Sequence, residues 1–165
     1  MEGLRPTPDR VRETLFNWLQ HDIAGARCLD LFAGSGALGL EALSRGAGRT
    51  VLVEKSATAT QQLEAHLRTL SCDHAAIVHL SAEQFLRRGP GDARYDVVFL
   101  DPPFGKGLMA TCTQLLEEKN WLTSDARIYL ENEHDLPVTD IPSHWHIDRE
   151  KAAGQITYRL ATRQA

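Results

Sequence analysis

Cys28-Leu29-Asp30-Leu31-Phe32-Ala33-Gly34-Ser35-Gly36-Ala37-Leu38-Gly39 is the stretch on which the reading of this chain turns. Its first half is a short apolar run that reads as a buried strand. Its second half holds glycines that permit a tight turn and let a ligand approach the backbone before a helix begins. A nucleotide-like cofactor fits such a turn. The spacing Gly34-x-Gly36-x-x-Gly39 also matches the dinucleotide fingerprint, and an acid, Glu54, follows about 20 residues on, at the end of Thr50-Val51-Leu52-Val53. A nicotinamide enzyme is therefore one reading. Asp30 speaks against it, because a negative charge in the turn region repels a pyrophosphate. The same charge suits a cationic ligand. S-adenosylmethionine is one, with a sulfonium and an ammonium at one end and ribose hydroxyls at the other, whose protons Glu54 can accept.

A second element, Asp101-Pro102-Pro103-Phe104, comes directly off the apolar run Tyr95-Asp96-Val97-Val98-Phe99-Leu100. An acidic acceptor, two prolines that remove N–H donors and fix the backbone path, and an aromatic face together suit a planar nitrogenous group with an exocyclic NH2. The lone pair of such a nitrogen is delocalised into its ring. It becomes nucleophilic once its two N–H groups are held, here by Asp101 and the Pro102 carbonyl, while Phe104 stacks on the base. Methyl transfer then needs alignment more than a strong base.

With both motifs in view, the chain resembles the class I methyltransferases, and within them the RsmD family. Asp30-Leu31-Phe32-Ala33-Gly34-Ser35-Gly36-Ala37-Leu38-Gly39-Leu40-Glu41-Ala42 is similar to that family's cofactor motif. Gly3-Leu4-Arg5-Pro6-Thr7-Pro8-Asp9-Arg10-Val11-Arg12-Glu13-Thr14-Leu15-Phe16-Asn17-Trp18-Leu19 is similar to its N-terminal motif, which discriminates best. The resemblance implies S-adenosylmethionine-dependent methylation of the 2-amino group of a guanine in small-subunit (16S) ribosomal RNA, free or within an assembled or assembling 30S particle. It implies that Thr7 lies near the cofactor's methionine portion and that Ser81-Ala82-Glu83 touches adenine. Family members usually carry a further basic segment ahead of the position of Leu4; here Met1-Glu2-Gly3 precede it, which leaves the chemistry intact and bears on RNA affinity.

From the residues themselves, Asp30 is assigned to the methionine end of the cofactor, Ala33, Gly34, Ser35 and Gly36 to the pocket lining, and Glu54 to the ribose. Glu83 also reads as a helix-start acid. Arg10 and Arg12 are candidates for the cofactor carboxylate, RNA phosphate or neighbouring acids, and Lys106, between Gly105 and Gly107, for RNA phosphate. Asp9 reads as a helix cap. Other amino methyltransferases, acting on DNA bases or protein glutamine, use similar Pro-Pro elements, and a noncatalytic cofactor- or RNA-binding module is a reading from a different class.

With 165 residues, 42% hydrophobic and 24% charged, the chain has the size and composition of one globular domain. No apolar run approaches the ~20 residues of a membrane helix and no signal-peptide pattern opens the sequence, so a cytoplasmic location is expected. Cys28, Cys72 and Cys112 form no metal-ligand spacing, and no metal is expected. His144-Trp145-His146 puts two imidazoles on one face of an extended segment without a third ligand and reads as packing. A formal net charge of −4 is unusual for an RNA binder, so a local basic face is needed; Arg5, Arg10, Arg12, Arg87, Arg88 and Lys106 are available for it.

Strand-like runs fall at Arg27 to Phe32, Thr50 to Val53, Ala76 to Leu80, Tyr95 to Leu100 and Ala126 to Glu131. Helical patterns fall at Asp9 to Leu19, Leu38 to Ser44, Ala57 to Leu70 and Leu108 to Lys119. This alternation predicts an α/β, doubly wound, Rossmann-like sheet, mostly parallel, closed by an antiparallel hairpin from His146 to Lys151 and Gln155 to Ala161. The layout expected is an N-terminal motif helix at 4–20, a cofactor and catalytic core at 26–131 and a hairpin at 144–163. Asp30, Glu54, Glu83 and Asp101 should then share the carboxyl edge of the sheet, where open α/β sheets bind ligands.

Overall fold

A computed structural model describes residues 8–103, 107–133 and 141–164. Helix α1 (Asp9–Trp18) leads into β1 (Arg27–Asp30), and the chain continues as α2 (Ala37–Ser44), β2 (Arg49–Val53), α3 (Ala57–Thr69), β3 (Ala75–Val78) and α4 (Ala82–Arg88). It closes with β4 (Tyr95–Leu100), α5 (Leu108–Glu118), β5 (Leu122–Glu133), β6 (Trp145–Ala153) and β7 (Ile156–Arg163). The strands form one sheet in the order β3-β2-β1-β4-β5-β7-β6. Strands β1 to β5 are parallel, and β7 lies antiparallel between β5 and β6. This is the expected doubly wound sheet with its closing hairpin.

Alternation along the strands sends residues to two faces. Cys28, Val97, Phe99, Tyr129, Tyr158 and Leu160 pack on one face against Val11, Leu15, Phe16 and Leu19 of α1 and Leu38 and Ala42 of α2. Leu29, Val98, Leu100, Ile128 and Leu130 pack on the other against α4 and α5. The order of strands reverses between β1 and β4, and a crevice opens beyond the carboxyl ends at such a switch point.

Several boundaries differ from the sequence-based expectation. Helix α4 is absent from the helical patterns read by periodicity, although Glu83 read as a helix-start acid and does lie in its first turn; Ser81 and Gln84 start it with a reciprocal capping box. Strand β5 starts at Leu122, ahead of Ala126, and its pairing with β4 shifts between Tyr95 and Val97, so an irregular register hides the early residues from an alternation pattern. Strand β1 stops at Asp30 rather than Phe32, because the chain turns there, with the Phe32 N–H bonding back to the Asp30 carboxylate and the Ala33 N–H to the Val53 carbonyl.

Candidate active site

Asp30, the last residue of β1, is 3% exposed. Its carboxylate accepts the N–H of Gly39 at 3.0 Å, and the N–H of Phe32 also bonds to it. The cap of α2 is Gly36, at φ +85°, which offers no side chain to the orphan N–H groups of the first turn. Asp30 supplies the missing acceptor from the neighbouring strand. A Cβ on Gly39 would lie 2.5 Å from Cδ2 of Leu52 and 3.2 Å from Oδ2 of Asp30, so a larger residue there would have to displace the Leu52 side chain and crowd the Asp30 carboxylate. Burial pushes the Asp30 carboxyl up to about 7 against the pull of its two N–H donors, and the charge of Glu54 adds to the rise. A carboxyl whose ionisation is opposed in this way favours a cation beside it.

Glu54 follows β2 and is 6% exposed. Its Oε1 accepts the Gly34 N–H at 2.9 Å and its Oε2 the Ser56 N–H at 2.7 Å. Those two bonds lock the carboxylate in place, and each oxygen retains a second lone-pair direction for a hydroxyl. The turn itself is tied down by the Ala33 N–H on the Val53 carbonyl at 3.0 Å and the Gly36 N–H on the Ala33 carbonyl at 2.7 Å, with Ser35 exposed at its tip.

Asp101 emerges half-buried from β4, followed by buried Pro102 and half-buried Pro103. Asp30 is in register with Phe99, so Asp101 stands two residues further along the adjacent strand, about 7 Å beyond Asp30 at ~3.3 Å per residue. Phe99 is in register with Tyr129 and Leu100 with Leu130, which brings Glu131 alongside Asp101 on the same face. Glu131 is 0% exposed and accepts the Tyr129 hydroxyl at 2.5 Å. Burial, then the charges of Glu131 and Asp101, holds the Tyr129 phenol well above its ordinary range, so it stays a donor. On the opposite face of the sheet, Arg159 donates to Asn132 at 3.0 Å and pairs with Glu150. The sequence reading passed over this buried polar group; the alternation Tyr129-x-Glu131 at a strand's carboxyl end was the available signal.

The structure thus brings Asp30, Ala33 to Gly36, Glu54 and Asp101 to Pro103 to one edge. Other expected residues have partners elsewhere. Glu83 lies in the first turn of α4 and pairs with Arg87 at 3.3 Å along its own helix. Arg12 pairs with Asp9 at 3.1 Å and with Glu41 of α2 at 3.6 Å, while Arg10 is exposed at the start of α1. Asp9 is the first residue of α1 rather than its cap, which is Pro8. His144 meets Glu117 at 2.9 Å and His146 meets Asp148 at 3.6 Å, with Trp145 buried between them. Thr7, Phe104 and Lys106 lie outside the described residues. Among the described residues no group of three or more His, Cys, Asp or Glu is placed to hold a metal ion, and no helix is long and apolar enough to cross a membrane.

Residues 1–162 match the family model described as conserved hypothetical protein 95. The ribosomal RNA small subunit methyltransferase D of Escherichia coli K12 is 49% identical over 163 residues, covering 99% of this chain and 81% of that protein. The chain belongs to this family. The Haemophilus influenzae member of the same name is 47% identical, over 96% of this chain and 83% of that protein. A solved structure titled as the putative methyltransferase yhhF from Escherichia coli superposes with a TM-score of 0.90 at 48% identity, covering 98% of this chain and 89% of that one. The N-terminal and cofactor motifs from which the RsmD family was read are therefore carried by a chain of that family.

Proposed function

We propose that this protein methylates the exocyclic 2-amino group of a guanine in small-subunit (16S) ribosomal RNA, in the cytoplasm, acting on the free RNA or on an assembled or assembling 30S particle. The observation that carries the reading is Asp101-Pro102-Pro103 at the end of β4, directly across the switch point from the Asp30 turn. The acceptors and donors of that turn fit S-adenosylmethionine, the cofactor of this family. When bound, it supplies a methyl group made electrophilic by its sulfonium. Asp30 favours the cationic end, the backbone of Ala33 to Gly36 lines the pocket, and Glu54, held by two N–H groups, receives the ribose hydroxyls. Thr7 and Glu83 are assigned to its methionine and adenine ends. Such a pocket holds the donor in one orientation before the base arrives.

At the acceptor end, Asp101 and the Pro102 carbonyl take the two amino N–H groups as hydrogen bonds, which aims the nitrogen lone pair away from β4 toward the donor pocket. Two consecutive prolines fix that carbonyl, and Phe104 stacks on a base rotated out of its helix. The amino proton becomes acidic as the N–C bond forms, and Asp101 is the acceptor beside it. Arg10, Arg12 and Lys106 are assigned to RNA phosphate.

The test is transfer of labelled methyl to unmodified small subunits and to protein-free ribosomal RNA, followed by nucleoside analysis. Label in 2-methylguanosine is expected, and label in DNA, in a peptide glutamine or in another nucleoside would overturn the reading. Asp101→Ala should abolish turnover, by at least about 100-fold, while cofactor affinity stays as in the wild type. Equal loss of both would remove Asp101 from its assigned role.

A further inference from the structure

Strand pairing sorts the outer hairpin by charge. Arg149 pairs with Leu160 and Lys151 with Tyr158, so both cations project from the face that α1 covers, while Glu150 pairs with Arg159 on the opposite face. The arginines of β7 are already engaged, Arg159 by Glu150 and Asn132 and Arg163 by Glu117. Arg149 and Lys151 are exposed, and among the described residues neither forms an ion pair.

Between these cations and α1 lies an aromatic floor. Tyr158 is buried, and Trp18, half-buried at the end of α1, stacks on it with ring centroids 5.4 Å apart. Trp18 therefore keeps part of its indole open to solvent over Tyr158, whose register partner on the neighbouring strand is Lys151. The hairpin tip follows at Gly154, next to Ile156, which is in register with Glu133 at the carboxyl end of β5. This places the ledge on the edge from which Asp101 emerges, beyond β5.

We propose that Arg149, Lys151 and Trp18 form a docking ledge for a strand of the substrate RNA. The inference rests on the reading of this protein as an RNA methyltransferase and locates where the RNA lies. Two cations at alternate positions of an extended strand stand about 7 Å apart, a spacing suited to successive phosphates, and an open indole next to them offers a stacking surface. The ledge also meets the difficulty of a chain with net charge −4, because phosphate contact depends on local rather than average charge.

The experiment compares the full chain with Arg149→Glu/Lys151→Glu, both sites being exposed, and with Arg68→Glu on exposed α3 as a control reversal. Methylation of small subunits by the double variant should show KM raised at least about 10-fold. Its kcat at saturation and its cofactor affinity should be unchanged, and the control should behave as wild type. Arg149→Ala/Lys151→Ala should flatten the slope of log affinity against log salt by about 1.5. If the wild type methylates RNA and the double variant keeps its KM and salt slope, the ledge is wrong and the RNA reading stands. A wild type that transfers no methyl to RNA overturns the reading and the ledge with it. Weaker action on particles with unchanged affinity for protein-free RNA would mean that this face meets a ribosomal protein, which also overturns the ledge.

Discussion

A buried carboxylate whose proton leaves near pH 7 reports on any charge brought beside it. The Asp30 carboxyl, ordinarily near 3.8, is raised to about 7 in the folded protein, so the folded state holds a proton that the unfolded chain has lost. Its contribution to stability is complete below the unfolded value and is lost as pH rises through the folded one. Unfolding midpoints of the ligand-free protein should therefore decline between about pH 4 and pH 7, and Asp30→Asn should decline less. A cationic ligand reverses the balance by favouring the carboxylate. Cofactor binding should release a proton and tighten as pH rises toward about 7, levelling off above it, which titration calorimetry below pH 7 in two buffers of different ionisation enthalpy would detect. Binding with no proton release would mean that the carboxylate does not meet the cation. The charge of Asp30 was legible from its place in the glycine turn. Its grip on Gly39 was not, since a contact between residues nine apart depends on how closely α2 lies against β1 and β2. Glu131 was only partly legible: the alternation with Tyr129 hints that the two share a face, but its place beside Asp101 appears only once β4 and β5 are in register.

Elements are held by caps and by a few ionic ties. Helix α4 has only seven residues, too short to be stable alone, and depends on the Ser81–Gln84 box and on Phe85 and Leu86 packing against the Trp121 side of the core. Ser81→Ala should destabilise the protein by about 1 kcal/mol in denaturant melts; an unchanged midpoint would show that packing alone sets the helix start. The box Ser-x-x-Gln stands in the sequence, and beyond the helix-start acid Glu83 the helix went unread because the run is too short to show an apolar period. Glu117 on α5 plays a larger part, accepting from Trp145 at 2.6 Å and Arg163 at 2.7 Å and meeting His144 at 2.9 Å. Burial alone would raise its carboxyl above the ordinary 4.5, but these donors pull it below. Its contribution is therefore present above about 4.5 and lost as pH falls through the lower folded value. Glu117→Gln should lose about 2 kcal/mol near neutrality, with the gap to wild type narrowing as pH is lowered from about 5 toward 3. A gap independent of pH would assign the effect to packing instead.

For the molecule as a whole, the alternation of strand and helix was enough to foresee the sheet, because each amphipathic segment has one face to bury and a parallel sheet offers both of its own. What alternation could not supply was the position of β7, which lies inside the sheet although it follows every other strand in the chain. Leu15 and Phe16 of α1 share a core with Tyr158 and Leu160 of β7, so the two ends of the described chain interlock across the sheet. A chain stopped after residue 154 would lack the neighbour of β5 and much of the floor beneath α1. It should give no cooperative thermal transition by circular dichroism, and a sharp transition would show that the parallel strands fold by themselves.

The same placement sets a schedule for synthesis. Leu15 and Tyr158 lie 143 residues apart (158 less 15), so at roughly 5–20 residues per second the apolar side of α1 waits about 7–30 s for its partner to be made. Cys28, Leu38, Val97 and Phe99 are made earlier and cover part of α1, but the share of its apolar side that rests on β7, and the edge of β5, stay open until the last strand arrives, so the completion of this core is timed by the end of synthesis.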